Sequence, residues 1–469
     1  MRKHFDFYGY NSPTSGKYYV DDEIYTLGED YRSVKRYKEY KNVGFNILLL
    51  QHENSFSGEE FRTSACKKCM DKSYKAGIDK VIVSDTRLKN LCEERQLVGK
   101  NGKFKTEQEF LDYLKTCIAP YETHPAFYGV QLFDEPKIDY LYSYAKVYRG
   151  LKTIKPDIAI QANLLNLCAP NNLAYKPTDL YSDYENYLNY FLEQSGADYV
   201  MTDEYAFRRN NTISRYTIPT YRILAKVCRA KNVEMRLVMQ SFSQEGNVVN
   251  NGVMDGGISW RRITEKDMYW QMNLALGFGC KEFSFFTYFT KTHKNFIGTR
   301  AVSEGIDGAA MVNLDGTRTK LYYAVKKIIK QFKTFEPVII NYDFYKDYYF
   351  CAEGKVTEDY EQTSAIGIIN ENCPIKVKID NGLICVCEMH KQDGSRMFMI
   401  ENITNPINQL MYKQKANDVR IDVGLIGEDL NFYKYGEKTE FNTVDGVFGV
   451  KMNCGDAIFI EENRNVPLG

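Results

Sequence analysis

Short apolar runs alternate with segments of helical periodicity from the N-terminus to about residue 335. The apolar runs are six to nine residues long and rich in branched and aromatic residues, which predicts strands. Continuous apolar character is typical of parallel strands that are buried on both faces. The pattern predicts eight strands, at residues 5–10, 44–51, 79–85, 127–133, 158–165, 198–205, 234–242 and 282–288.

Helical stripes fill the intervals between these strands. Thr106 and Glu109 have the spacing of a capping box, which predicts a helix start there. The last stripe, from 321 to 335, is followed by Glu336 and Pro337, which predicts that the helix ends there. Eight strands alternating with helices predict a closed parallel (β/α)8 barrel, the TIM barrel, over residues 1–340.

The pattern changes after about residue 345. Short alternating runs replace the helices, and Asn381-Gly382 and Asp393-Gly394 are hairpin signals. Predicted strands include residues 365–369, 375–379, 383–388, 397–400 and 457–461. We therefore expect a smaller all-β domain, a sandwich, over residues 341–469.

Composition narrows the classes of partner. Lys and Arg together number 61, as do Asp and Glu, so the formal net charge is zero. This balance gives no reason to expect a nucleic acid or an anionic membrane as a binding partner. No apolar run is long enough for a signal peptide or a membrane span. The twelve cysteines lie mostly in apolar segments, which favours a reducing cytoplasm. The oligomeric state stays open, a homo-oligomer included.

No metal site or cofactor is expected. Cys66 and Cys69 form a CxxC pair, and Cys385 and Cys387 are closer still, but neither has the second pair of a zinc site. The five histidines are isolated along the chain. No glycine-rich dinucleotide fingerprint or phosphate-binding loop follows a strand.

The fourth strand stops on two acids and a proline, Asp134, Glu135 and Pro136. In barrels of this kind the C-terminal strand ends form the active face, so Glu135 is a candidate catalytic acid. The alternative is that the two acids only cap the helix that follows. Polar residues also end the other strands. Any one of them, taken alone, could be an ordinary polar residue at a solvent-exposed strand end. The full set of candidates is Gln51, Asp85, Asp134, Glu135, Asn163, Asp203, Glu204, Tyr205, Gln240 and Tyr288.

Carboxylates, amides and tyrosines together suit a polyhydroxylated substrate. Cleavage of a glycosidic bond needs one carboxyl to protonate the leaving oxygen and a second to stabilise or attack the sugar centre. Glu135 suits the first role, because a neighbouring acid raises the proton affinity of one member of a pair. Trp260 or Trp270 could form a stacking wall for a sugar, although packing in the core or in a loop is the more common role of such residues.

Segment 124–129 (HPAFYG) leading to Asp134-Glu135-Pro136 resembles the fourth-strand signature of TIM-barrel glycoside hydrolases of the clan that includes β-galactosidases and cellulases. Segments 199–207, 238–242, 275–279, 285–288 and 313–316 resemble a β-galactosidase-like bacterial branch. In that clan the signature is usually Asn-Glu-Pro with the Glu as acid/base, which implies this role for Glu135. Here Asp134 replaces the usual Asn.

The usual nucleophile of the clan is a Glu at the end of the seventh strand, where this chain has Gln240. A neutral amide cannot take that role, so the second carboxylate is expected to be Asp203 or Glu204. These two point to opposite faces of a strand, and the resemblance favours Asp203. The remaining polar candidates, Asp134, Gln240 and Tyr288 among them, are predicted to contact substrate.

We therefore expect a cytoplasmic glycoside hydrolase that acts on oligosaccharides or small glycosides. Two alternatives stay open. One is a hexosaminidase-type mechanism, in which the Asp of the Asp-Glu pair orients a 2-acetamido group that attacks in place of an enzyme nucleophile. The other is a barrel that binds carbohydrate without cleaving it.

Overall fold

A computed structural model describes residues 4–20, 23–26, 29–208, 210–243, 249–250, 253–254, 260–290, 310–352, 372–411, 415–426 and 429–462. The predicted strand at 365–369 and most of the loop after the seventh predicted strand lie outside these residues. None of the described helices has the length and apolar character needed to cross a membrane.

The described strands and helices are numbered in chain order. The strands are β1 Asp6–Gly9, β2 Lys17–Val20, β3 Glu23–Thr26, β4 Leu48–Leu50, β5 Val81–Ser84, β6 Phe127–Gln131, β7 Ala159–Gln161, β8 Tyr199–Glu204, β9 Glu234–Gln240, β10 Val249–Asn250, β11 Val253–Met254, β12 Cys280–Phe286, β13 Asp343–Cys351, β14 Lys376–Ile379, β15 Leu383–His390, β16 Arg396–Asn402, β17 Asn417–Asp422, β18 Leu430–Lys434, β19 Glu437–Thr439, β20 Val447–Met452 and β21 Ala457–Glu462. The helices are α1 Val34–Asn42, α2 Ala65–Lys75, α3 Thr86–Cys92, α4 Glu107–Ile118, α5 Ile138–Ile154, α6 Leu180–Ser195, α7 Thr217–Lys231, α8 Glu265–Gly277, α9 Lys320–Ile339 and α10 Ile407–Met411.

The N-terminal part contains two four-stranded sheets in which all pairs are parallel. One has the order β4-β5-β6-β7 and the other β1-β12-β9-β8. Each of the eight strands predicted from the sequence has its counterpart here, usually shorter by a few residues. β7 and β8 are edge strands of different sheets, and a bridge between Leu164 and Thr202 links them. β4 and β1 are the opposite edge strands. There, Asn46 N, in the segment that enters β4, donates to Phe7 O of β1 over 3.0 Å.

Helix starts follow the sequence closely. Thr106 and Glu109 form the predicted capping box at α4. The predicted end of the last helix is wrong: α9 continues through Pro337 to Ile339. A proline near a helix end removes only one hydrogen bond, and the turn is retained because Ile340 N donates to Glu336 O and Ile339 is fully buried. The β2–β3 hairpin and the short helix α3 were not predicted.

The C-terminal part is antiparallel throughout its described sheets. A six-stranded sheet, β13-β15-β16-β21-β18-β19, faces a three-stranded sheet, β14-β17-β20. Their facing side chains, among them Val377, Val386 and Ile400, form a separate core. The opposite face of the larger sheet belongs to the main core and packs on the helices of the N-terminal part. Trp270 of α8 donates from Nε1 to Ile403 O over 3.0 Å at this contact.

Candidate functional site

Glu135 follows β6 in an unusual backbone conformation. Its φ is +53°, a left-handed value that non-glycine residues rarely adopt. Its N–H donates to Asn163 O over 3.0 Å, just after the neighbouring strand β7. This bond fixes the turn between β6 and α5 at the C-terminal ends of the parallel strands. Such conformations cost energy and persist only where the surrounding structure holds them. They occur most often at functional sites.

Asp203 lies one residue before the end of β8, and its carboxyl is within hydrogen-bonding reach of Glu135 and of the Tyr205 hydroxyl. The Glu135 side chain remains exposed to solvent, whereas Asp203 is 6 % exposed. The charge of Asp203 is the main cause that raises the pKa of Glu135, followed by partial desolvation and the charge of Asp134. Desolvation, and then the charge of Asp134, raise the pKa of Asp203. The pair therefore tends to hold one proton, and the stronger shift assigns it to Glu135.

Asp134 lies beside this pair and is exposed. Asn163, which is 3 % exposed, donates from Nδ2 to Asp134 Oδ1 over 3.0 Å. Lys89 of α3 is close enough for the charge of Asp134 to act on its pKa, although desolvation lowers that pKa overall. Asp134, Glu135, Asn163 and Asp203 thus form one group, which we call the acid cluster. Lys89 was not predicted, because α3 gave no clear signal in the sequence.

Glu204 does not join the acid cluster. It points to the other face of β8, where Thr217 and Thr220 of α7 donate to its carboxylate over 2.8 and 3.4 Å. Burial raises the pKa of Glu204 to about 7. Of the two candidates for the second carboxylate, only Asp203 is placed beside Glu135.

Gln240 ends β9 but is fully buried and bound by the backbone around it. Its Oε1 accepts from Phe207 N over 2.8 Å, and its Nε2 donates to Phe207 O over 3.2 Å and to Arg261 O over 3.3 Å. An amide can accept and donate at once, which a carboxylate cannot. The residue at the usual nucleophile position therefore has a structural role here, and its contacts leave little capacity for substrate.

The other polar candidates also take part in internal contacts. Asp85 is fully buried, caps α3 and accepts from Arg87 and the Tyr121 hydroxyl. Gln51 donates from Nε2 to Gln131 Oε1 over 3.2 Å. The ring of Tyr288 is 1 % exposed and packs against Tyr40 and Phe45.

An aromatic cluster borders the acid cluster on the Asp203 side. Tyr205 packs edge-to-face on Phe242 and Trp260, with ring centroids 5.0 and 5.7 Å apart, and lies 5.8 Å from Phe286. Tyr205, Trp260 and Phe286 are half-buried, so this cluster reaches the surface beside the acids. Trp270, the other predicted stacking residue, is fully buried in the core. Phe242 and Phe286 were not predicted, because they come from different strands.

The site offers carboxyl, amide and aromatic groups for chemistry. Within the described residues, no three His, Cys, Asp or Glu side chains are arranged to hold a metal ion. The acid cluster can supply a proton and a carboxylate, and the aromatic cluster beside it offers a flat apolar surface. These are the groups that bind and cleave sugars in glycosidases.

Comparison with known proteins adds information on the fold. No family model matches the sequence, and no curated protein matches it. Among solved structures, a family 5 glycoside hydrolase from Bacteroides vulgatus has a TM-score of 0.50 at 10% identity, over 99% of this chain and 89% of that one. A catalytic mutant of a family 42 β-galactosidase from G. stearothermophilus has a TM-score of 0.52 at 9% identity, over 91% of this chain and 95% of that one. The chain therefore has a fold similar to that of TIM-barrel glycoside hydrolases.

Proposed function

We propose that the two parallel sheets close into one (β/α)8 barrel over residues 1–340, with a β-sandwich domain over 341–469. The contacts at both pairs of sheet edges, Leu164 with Thr202 and Asn46 with Phe7, support closure. In a closed barrel, β6 and β8 are separated only by β7. Closure thus brings the carboxyls of Glu135 and Asp203 to the same end of the barrel.

We propose that the protein is a glycoside hydrolase and that Glu135 and Asp203 are its catalytic pair. The observation that carries this proposal is the closeness of their carboxyls at the C-terminal strand ends, where the more strongly raised pKa of Glu135 favours the proton on that residue. A protonated carboxyl beside an ionised one is the pair of groups that glycosidic bond cleavage requires. Asp134 supports it by raising the proton affinity of Glu135.

The reaction then has two balanced steps. The Glu135 proton passes to the glycosidic oxygen as the bond between that oxygen and the sugar C1 breaks, and an Asp203 oxygen bonds to C1. Water next attacks C1 and gives a proton to the Glu135 carboxylate, while the bond from C1 to Asp203 breaks. Glu135 ends protonated and Asp203 ends ionised, as they began.

The spacing favours retention of configuration. Inverting enzymes keep their carboxyls roughly 6.5–9.5 Å apart to fit a water, whereas retaining enzymes keep them about 5–5.5 Å apart. Carboxyls within hydrogen-bonding reach are closer than either spacing, but they are nearer to the retaining one and leave no place for that water. We therefore propose that Asp203 attacks directly, with the substrate moving between the two groups on binding.

The test is turnover of nitrophenyl glycosides by the full chain. Wild type should cleave at least one member of a broad panel. Glu135→Gln and Asp203→Asn should each lower kcat/KM by about 10³-fold or more, since each removes a group that acts in the transition state. Asp139→Asn is the matched control, because Asp139 is an exposed acid in the first turn of α5, near Glu135 in sequence but outside the acid cluster.

The stereochemistry is read by NMR of the first-formed anomer. Retention supports Asp203 as nucleophile, and inversion refutes it. If no glycoside is cleaved while sugars bind at the acid cluster, the non-catalytic alternative replaces the hydrolase. Placement in the cytoplasm stays a prediction.

A further inference from the structure

The neighbouring helices α9, α1 and α2 carry a strong excess of positive charge. The Tyr322 hydroxyl of α9 donates to Glu39 O of α1 over 2.7 Å, and Lys41 Nζ of α1 donates to Gly77 O, just after α2, over 2.6 Å. These helices contain thirteen Lys and Arg but only three Asp and Glu, whereas α4, α5 and α6 contain four and seven. The zero net charge of the chain therefore conceals a local basic surface, which we call the basic face.

Most cations of the basic face have no acidic partner. Ion pairs with described acids involve only Arg36, Lys67 and Lys327 of the thirteen. Five exposed lysines form no ion pair with any described residue, and these are Lys35, Lys38, Lys68, Lys75 and Lys330. Their charges are therefore open to an anion from solution.

Helix stability does not account for the position of these charges. The N-terminal end of a helix carries partial positive charge, so it favours acids and disfavours cations. α4, α5, α6 and α8 each have Asp or Glu in the first turn. α1, α2 and α9 have none there and instead place Lys35, Lys67 and Lys320 in the first turn. An arrangement that works against the helix dipole in three adjacent helices points to binding rather than folding.

The other exposed groups of these helices narrow the type of partner. The rings of Tyr74 and Tyr323 are 47% and 53% exposed, and such rings can stack on sugars. In these three helices, which are described throughout, no large aliphatic side chain is exposed. Insertion into a membrane surface needs an apolar face, which is here buried in the core. Cations with exposed tyrosines therefore suit a charged, hydrated polymer.

We propose that the basic face binds an acidic polysaccharide with carboxylates along its chain. A nucleic acid also combines negative charge with rings, and the choice of a carbohydrate rests on the proposed function. The basic face belongs to the helices that follow β1, β4 and β12, whereas the acid cluster follows β6, β7 and β8. A polymer held there would leave the acid cluster open.

Binding of the full chain to immobilised polygalacturonate tests the inference. The fully methyl-esterified polymer is the matched probe, because it keeps the sugars and loses the charge. We expect the charged polymer to bind about tenfold or more tightly than the ester at low ionic strength, and the difference to shrink as salt is added. Equal binding of both polymers, or no binding of the charged one, would overturn the inference.

The location is tested by removing one unpaired lysine from each helix. The combined variant Lys38→Gln, Lys68→Gln and Lys330→Gln should weaken binding by about tenfold or more, since three attractive charges are lost. A second triple variant changes the net charge equally at exposed lysines outside the three helices, with the substitutions Lys100→Gln, Lys376→Gln and Lys378→Gln. It should bind as wild type does, and an equal loss in both variants would refute the basic face.

Three further measurements separate the inference from its rivals and from the proposed function. Tighter binding of single-stranded DNA or of phosphatidylglycerol vesicles than of polygalacturonate overturns it in favour of that class of partner. Loss of polygalacturonate binding in Glu135→Gln places the polymer at the acid cluster and also overturns it. Binding at the basic face without cleavage of any nitrophenyl glycoside keeps the inference and refutes the hydrolase, whereas cleavage without polygalacturonate binding does the reverse.

Discussion

Glu401 should make the protein less stable as pH rises. It lies on β16 between Cys385 of β15 and Ala457 of β21, on the sheet face that packs against the N-terminal helices. It is fully buried, and neither carboxyl oxygen has a hydrogen-bond partner in the described residues. Desolvation, followed by the charges of Cys385 and Asp456, raises the pKa of Glu401 well above its ordinary value of 4.5.

The sign follows from proton binding. The folded state keeps the Glu401 proton where the unfolded chain has lost it, so folding stability is greatest below the unfolded pKa and falls as pH rises toward the folded pKa. The slope is about 1.4 kcal/mol per pH unit, or about 3 kcal/mol over two units. Glu401→Gln removes this ionisation and keeps the shape. Relative to wild type it should be nearly neutral at pH 4.5 and stabilising by about 3 kcal/mol near pH 7.

Urea denaturation between pH 4.5 and 7.5 measures the effect. The tryptophan signal is suitable, because one of the two tryptophans, Trp270, is fully buried at the contact with the C-terminal sheet. Glu437→Gln serves as the control, since Glu437 is an exposed glutamate on the same sheet. A difference between Glu401→Gln and wild type that does not change with pH, or a loss of stability at pH 7, would refute the reasoning.

Three further outcomes are expected. Asp134→Asn should shift both limbs of the kcat/KM profile to lower pH, because the charge of Asp134 raises the pKa of both carboxyls of the catalytic pair; superimposable profiles would contradict this. Gln240→Glu should lower the unfolding free energy by about 3 kcal/mol or more without raising activity, since a carboxylate cannot donate to Phe207 O; unchanged denaturation midpoints would contradict it. Gly129→Ala should reduce soluble yield and Tm strongly, because its Cβ would lie 2.0 Å from a backbone oxygen of β7, whereas Gly449→Ala, with no atom within 4 Å, should be tolerated.

Much of the architecture could be predicted because the signals are local. Apolar runs and helical stripes depend on neighbouring residues alone, and they gave all the parallel strands and most helices. The alternation of side chains along β8 also correctly indicated that Asp203 and Glu204 point to opposite faces. Short elements such as α3, with seven residues, lack enough periodicity to be recognised.

The roles of several site residues could not be predicted, because they depend on contacts distant in sequence. Gln240 is bound by Phe207 and Arg261, 33 and 21 residues away along the chain. Asp85 looks like a strand-end acid in the sequence, yet its carboxylate is engaged by Arg87 and by Tyr121, 36 residues away. A polar residue at a strand end can thus either contact substrate or stabilise the fold, and only its hydrogen-bond partners in the folded structure show which role it has.

Both faces of the larger C-terminal sheet are buried against hydrophobic side chains. One face packs on the smaller sheet, and the other packs on helices of the N-terminal part such as α8. If the chain were divided after residue 340, each of the two fragments would therefore expose a hydrophobic surface that the other fragment normally covers. We expect each fragment to precipitate or to recruit chaperones when made alone, and the two to reassemble when synthesised together. The C-terminal part is in this sense a component of the main hydrophobic core rather than a detachable appendage.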